Sequence, residues 1–216
     1  DEDKQQWIED VKSGLDILKE SLYCFKFRLS PTTENTNENK TLFARFEWEY
    51  IFKPHAFDNL TDNRIASGDS TQLPVNPSVF VDETTKRGKY YLQNSDLEGI
   101  GGISGQFYVF NQSKPILDIV YGVGRNKAIK EYIKSNCGVK VYRNNIRVYN
   151  YGEPFDDWLN LELAKVQRAG DHFSKKVTIG AISIRLNESS GLVEKTNREG
   201  FLENEAFKRF REIVRT

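Results

Sequence analysis

The sequence is poor in the residues that most often announce a function. Its 216 residues include no methionine, two cysteines, two histidines and six prolines. Cys24 and Cys137 stand far apart with no metal-ligand spacing, so they read as two reduced thiols rather than a disulfide framework or a zinc site. His55 and His172 form no His-Glu-x-x-His pair, and no Gly-x-Ser-x-Gly elbow is present. No apolar run approaches the ~18 residues that a membrane helix needs. The opening residues carry no secretory-signal pattern. These gaps give the expectation of a cytoplasmic protein with no membrane partner. Net charge is missing too: 31 Lys+Arg balance 31 Asp+Glu. A protein that wraps nucleic acid over its whole surface should be more basic, although a local basic patch stays open. With no initiator methionine, and a helical pattern running almost from the first residue, we read the chain as a piece of a longer protein.

What is present suffices for a core. Hydrophobic residues make up 38% and charged residues 29%, as in a folded soluble domain. The spacing of Trp7, Ile8, Val11, Leu15, Leu18 and Leu22 predicts an amphipathic helix over residues 3–23. Residues 24–29 alternate as a short strand, and 30–40 form a polar loop. Residues 41–53 alternate strongly, with Phe46, Trp48, Tyr50 and Phe52 on one side and Arg45, Glu47 and Glu49 on the other. That aromatic row reads as core rather than as a base-stacking platform. Residues 54–96 show no clear period and read as an insertion or functional loop, with Ser78–Val81 and Tyr90–Leu92 as short strands. The run GIGGISG at 99–105 lacks the Lys-Ser/Thr of a phosphate loop and leads into a strand at Gln106–Phe110. It therefore reads as a turn or bulge. Residues 115–123 are expected as a strand or a tight connection.

Residues 125–136 predict a helix closed by Gly138. The stretch GVKVYRNNIRVYNYGEPFDD, 138–157, is the sharpest structural statement in the chain. Two β-branched runs flank Asn144-Asn145, a pair that tolerates the positive φ of a two-residue hairpin turn. Gly152 and Pro154 stop the second strand, and Asp156-Asp157 are placed to cap a helix over 156–168 whose buried side carries Trp158, Leu159, Leu161 and Leu163. A basic loop follows, with Arg168, His172, Lys175 and Lys176, then a strand over 177–186, a loop, and a helix over 203–214. The fold class is α+β: a mixed sheet with helices mainly on one face. The expected organisation is a connecting helix over 1–24 and one domain over 25–216, with the irregular insertion at about 54–96. No self-sufficient active site is recognisable, and the basic loop is the best candidate for function.

Three segments carry a resemblance: GVKVYRNNIRVYNYGEPFDDWLNL (138–161), KVQRAGDHFSKKVTIGAISI (165–184) and TNREGFLENEAFKRF (196–210). In this order and spacing the chain resembles the second, transducer domain of bacterial GHKL ATPases, a group similar to MutL, gyrase B, the microrchidia ATPases and the ninety-kilodalton chaperones. The strand GQFYVFNQS (105–113) fits as well, so the resemblance covers roughly 99–212. It implies the ribosomal-protein-five-like fold, with a left-handed βαβ crossover against the usual rule. It also implies ATP and Mg²⁺ held mainly by a separate N-terminal domain of the same polypeptide, which this chain lacks, so the chain by itself is expected to bind no cofactor. In such proteins a lysine or arginine from the transducer reaches the γ-phosphate and reports nucleotide state. Lys175 or Lys176 is the implied sensor and Arg168 the fallback. A homodimer of the full-length protein is the implied assembly. Ser174-Lys175-Lys176 departs from the small or amide residues of close relatives. The alternative function is a non-enzymatic interaction or nucleic-acid-binding module.

Overall fold

The computed structural model describes residues 14–32, 42–54, 62–81, 89–167, 173–197 and 199–216. Its elements run β1 (Tyr23–Ser30), β2 (Arg45–Phe52), β3 (Arg64–Ser70), β4 (Pro74–Val75), β5 (Tyr90–Tyr91), β6 (Ile103–Val109), α1 (Lys114–Tyr121), α2 (Asn126–Asn136), β7 (Gly138–Arg143), β8 (Ile146–Val148), α3 (Leu161–Gln167), β9 (Thr178–Ile184) and α4 (Glu205–Arg215). Seven strands form one sheet in the order β3-β2-β1-β6-β9-β7-β8, and β4-β5 form a small second sheet. Every neighbouring pair in the large sheet is antiparallel except β7 and β9, which run parallel. The α+β class and the mixed sheet are therefore as expected.

Residues directly opposite each other on paired strands share a face. The register puts Phe25, Tyr50 and Phe107 in one row, and Leu29, Ile103 and Ile184 in another on the same side. At the β7–β9 end this face is buried beneath α4: Val139, Val141 and Ile182 share one cluster with Phe207, Phe210 and Ile213. The opposite face carries a second cluster, Ile17, Phe110, Leu117, Ile129 and Ile133, packed against Tyr108 and Ile179. Helices thus pack on both faces, a correction to the expected one-sided arrangement. The reason is visible in the register, because Tyr108 and Ile179 face away from α4 and give α1, α2 and the helical residues 14–19 an apolar seat.

Several boundaries move. Of the helix expected over 3–23, residues 14–19 are helical, while 1–13 lie outside the described residues. Residues 23 and 24 already belong to β1, so the proposed division at 24 falls inside a strand. The irregular segment 54–96 contributes β3 to the main sheet. That strand is exposed along almost its whole length, and its sequence RIASGDS offers no apolar alternation to find it by. Ser78–Val81 is not a strand: Pro77–Val79 forms a 3₁₀ turn capped by Asn76, whose side chain accepts from the Ser78 N–H. Residues 114–121 form a helix rather than a strand, opened by Pro115 and closed by Gly122 at φ 91°. The aromatic row of β2 is half-buried instead of core, because among the described residues no helix covers that end of the sheet. The hairpin is as expected, with Asn144 and Asn145 at φ 50° and 66°.

Candidate functional site

The segment after the hairpin does not run directly into a helix. Residues 149–160 wind through turns, with Asn150 and Asn160 at φ 77° and 54°. The two acids act on different partners. Asp157 accepts from the Leu161 and Glu162 N–H groups through its two oxygens, at 3.0 and 3.1 Å. It therefore caps α3 from ahead of its start. Asp156 instead accepts from Gly152 N–H at 2.9 Å and closes the turn. The expected helix over 156–168 accordingly begins at Leu161. Trp158 and Leu159 lie in the preceding turn, and Leu163 is exposed rather than buried.

Around this turn the three segments 138–161, 173–184 and 199–210 close on one another. Tyr151 Oη accepts from Phe201 N–H at 2.8 Å, and burial pushes the Tyr151 hydroxyl up to about 12. Trp158 donates to the Val139 carbonyl at 2.8 Å and stacks on Phe210 with ring centroids 5.7 Å apart. Arg143 reaches the Ser189 hydroxyl at 3.0 Å and lies over the Phe201 ring at 5.7 Å. Each contact joins residues far apart in sequence, so the aromatic cluster fixes the turn from several directions.

The basic loop enters this unit through Lys175. Its side chain is buried, and Nζ donates to the Pro154 and Asp156 carbonyls at 2.7 and 3.0 Å. The ammonium thus supplies hydrogen bonds to two carbonyls of the turn that have no other donor among the described residues. Ser174 opens the Lys175–Val177 3₁₀ turn, accepting from the Lys176 N–H and donating to Glu162. Partial burial pulls the Glu162 carboxyl up, but the bonds from Ser174 and from the Lys175 and Lys176 backbone, with the Lys176 charge, outweigh it and hold it below the usual range. Lys176 is exposed, and its carbonyl accepts from Gln112 Nε2 at 3.1 Å. Of the three residues singled out in the sequence, Lys175 therefore anchors the loop and Lys176 presents its ammonium to solvent. Arg168 lies outside the described residues, as does His172. Ser174 and Glu162 were not found by sequence, since their pairing spans a loop and neither sits in a motif.

Several apolar side chains of these segments face solvent. Phe155, Leu163, Val166 and Phe173, all on the segments tied together here, are 78%, 54%, 81% and 51% exposed. Among the described residues, no group of three or more His, Cys, Asp or Glu is placed to hold a metal ion. Lys176 and Lys165 are exposed cations of these segments.

At the other end of β9 the glycine run has a structural explanation. Gly99 and Gly101 have φ of 73° and 76°, and a Cβ at Gly101 would fall 2.3 Å from that of Glu188. Gly102 N–H is taken by Glu188 Oε2 at 3.1 Å. The run is a close-packed turn leading into β6, as the sequence predicts.

No protein-family model, no curated protein and no solved structure matches this chain at a significant level. Among the described residues, no helix is long and apolar enough to cross a membrane.

Proposed function

We propose that the chain is the transducer part of a GHKL-type ATPase. In this reading it couples ATP binding and hydrolysis in a neighbouring domain of the same polypeptide to a conformational change, with Lys176 as the phosphate-sensing cation. The observation that carries the reading is the convergence of the resembling segments. The three stretches that suggested the family from sequence are the ones that close into a single knot, through Tyr151–Phe201, Trp158–Phe210 and Lys175 on the 154–156 carbonyls. Residues recognised together pack together, and Lys176 stands exposed at the edge of the knot. The exposed Phe155, Leu163, Val166 and Phe173 suit a face that another domain covers. ATP and Mg²⁺ belong to that domain in this reading, and Lys176 would supply a point charge to the γ-phosphate. Lys175, the other candidate, acts as the anchor that positions it.

The test uses the full polypeptide containing the ATP-binding domain. Lys176→Ala is expected to lower ATP turnover about tenfold or more, the size of one lost transition-state contact, with the unfolding midpoint unchanged. Unaltered turnover in that variant would remove the sensor role of Lys176. A full polypeptide that does not hydrolyse ATP would remove the whole reading.

A further inference from the structure

A second site lies at the end of the sheet remote from Lys176. It is an open cleft of about 900 Å³ where β1 and β9 end, β6 begins and the Asn144–Asn145 turn projects. We propose that this cleft binds a small polyanion by a phosphate or carboxylate group, held by the Arg28 guanidinium and the Ser104 and Ser183 hydroxyls.

The strand register builds the site. Arg28 stands opposite Ser104, and Ser104 opposite Ser183, so the three side chains form a row on one face across β1, β6 and β9. Neighbouring strands lie about 4.8 Å apart, which lets one multi-oxygen group reach the guanidinium and a hydroxyl together. All three residues are exposed in this row. Arg28 has no ion pair among the described residues, because Glu47, opposite it on β2, lies 3.3 Å from Arg45. The two hydroxyls make no hydrogen bond among the described residues. Three donors of oxyanion chemistry are thus aligned and unused.

The floor of the same cleft already holds an oxyanion supplied by the protein. Glu188 lies 3.1 Å from Arg185 Nη1 through one oxygen and 3.1 Å from the Gly102 N–H through the other. A carboxylate bridging a guanidinium and a backbone amide is the arrangement an incoming phosphate or carboxylate would adopt. The absence of a side chain at Gly101 lets Glu188 come this close, since a Cβ there would strike it. The cleft's charged lining, Arg28, Arg185 and Glu188, is net positive. Glu188 therefore competes with the ligand for Arg185 and Gly102, and Arg28 with the two serines gives the ligand its own contacts.

The test titrates this chain with inorganic pyrophosphate, and separately with citrate, at constant ionic strength, following backbone amide shifts. Saturable shifts at Gly102, Ser104 and Ser183 are expected. Saturation by pyrophosphate alone identifies a phosphate ligand, and saturation by both identifies a general oxyanion site. Arg28→Gln is expected to weaken binding about tenfold, as loss of one charge-assisted contact does, without moving the unfolding midpoint. Glu188→Gln, which keeps an acceptor for Gly102 N–H, is expected to tighten binding about threefold. The proposal is overturned if neither anion gives saturable shifts up to roughly 10 mM, if Arg28→Gln leaves the titration unchanged, or if the shifts map to Lys176. Failure here leaves the ATPase reading intact, because Lys176 and this cleft lie beyond opposite ends of β9.

Discussion

Two regions of the molecule are rich in aromatic residues, and they use them differently. At α4, Phe201, Phe207 and Phe210 are almost fully buried and ring Tyr151 and Trp158 at centroid distances of 5.7 to 6.3 Å. On β1 and β2, Phe25, Phe27, Phe46, Trp48 and Tyr50 stand in equally regular rows but are half-buried. Both regions have apolar alternation or periodicity. Among the described residues only the first has a helix to complete it, so aromatic content alone does not decide what is core: the covering element does.

The comparison is broken most directly by truncation. Phe210→Ala opens a cavity in the covered region and is expected to cost about 3–5 kcal/mol. Trp48→Ala removes a larger side chain, but one that lies over Gly68 on the neighbouring edge strand and faces solvent in part. It is expected to cost only about 1–2 kcal/mol. Chemical denaturation of both variants checks this. Equal losses would show that the β1–β2 rows are as well covered as the α4 cluster.

The covered region also owes its shape to polar contacts, and these sharpen the comparison at smaller energies. Lys175→Met keeps the length of the chain but leaves the Pro154 and Asp156 carbonyls without their donor. The expected loss is about 1–2 kcal/mol, because these acceptors are only partly buried and water can replace part of what the ammonium gives them. Lys176→Met, one residue on and exposed, is expected to change stability by less than about 0.5 kcal/mol. A similar loss in both would contradict the division between anchor and free lysine.

The two regions also differ in how far they could be read from sequence. The hairpin at Asn144–Asn145 was legible because its turn chemistry is local, and α2 and α4 because their apolar faces repeat at helical spacing. β3 was not, since an exposed edge strand needs no apolar face and its pairing with β2 is nonlocal. The eight residues of α1 are too few for a period, and only Pro115 and Gly122 mark its ends. In the site, the loop bearing Lys175 and Lys176 could be found as a basic run. Which of the two lysines is buried could not, because it depends on carbonyls about twenty residues earlier. The pairing of Ser174 with Glu162 had no local sign at all.

The smallest effects distinguish the two acids of the knot by pH. Glu162 is held below the usual carboxylate range in the folded protein. Its contribution is therefore present above the unfolded-state pKa and is lost as pH falls through the folded one. Asp156 has the opposite sign. Burial raises it, more than the Gly152 and Trp158 N–H groups and the Lys175 charge lower it, and Asp157 adds to the rise. The folded state then holds that proton more tightly than the unfolded chain, so Asp156 opposes folding above its folded pKa and the opposition fades as pH falls. Glu162→Gln should lower stability at neutral pH and flatten its decline between about pH 6 and 3, the range in which carboxylates titrate. Asp156→Asn retains an acceptor for Gly152 N–H, should not lower stability at neutral pH, and should make the decline steeper. Denaturation midpoints across that range would show the two curves diverging in opposite directions from the parent. Curves that shift the same way would mean that the turn and the Lys175 loop do not titrate as separate parts of the knot.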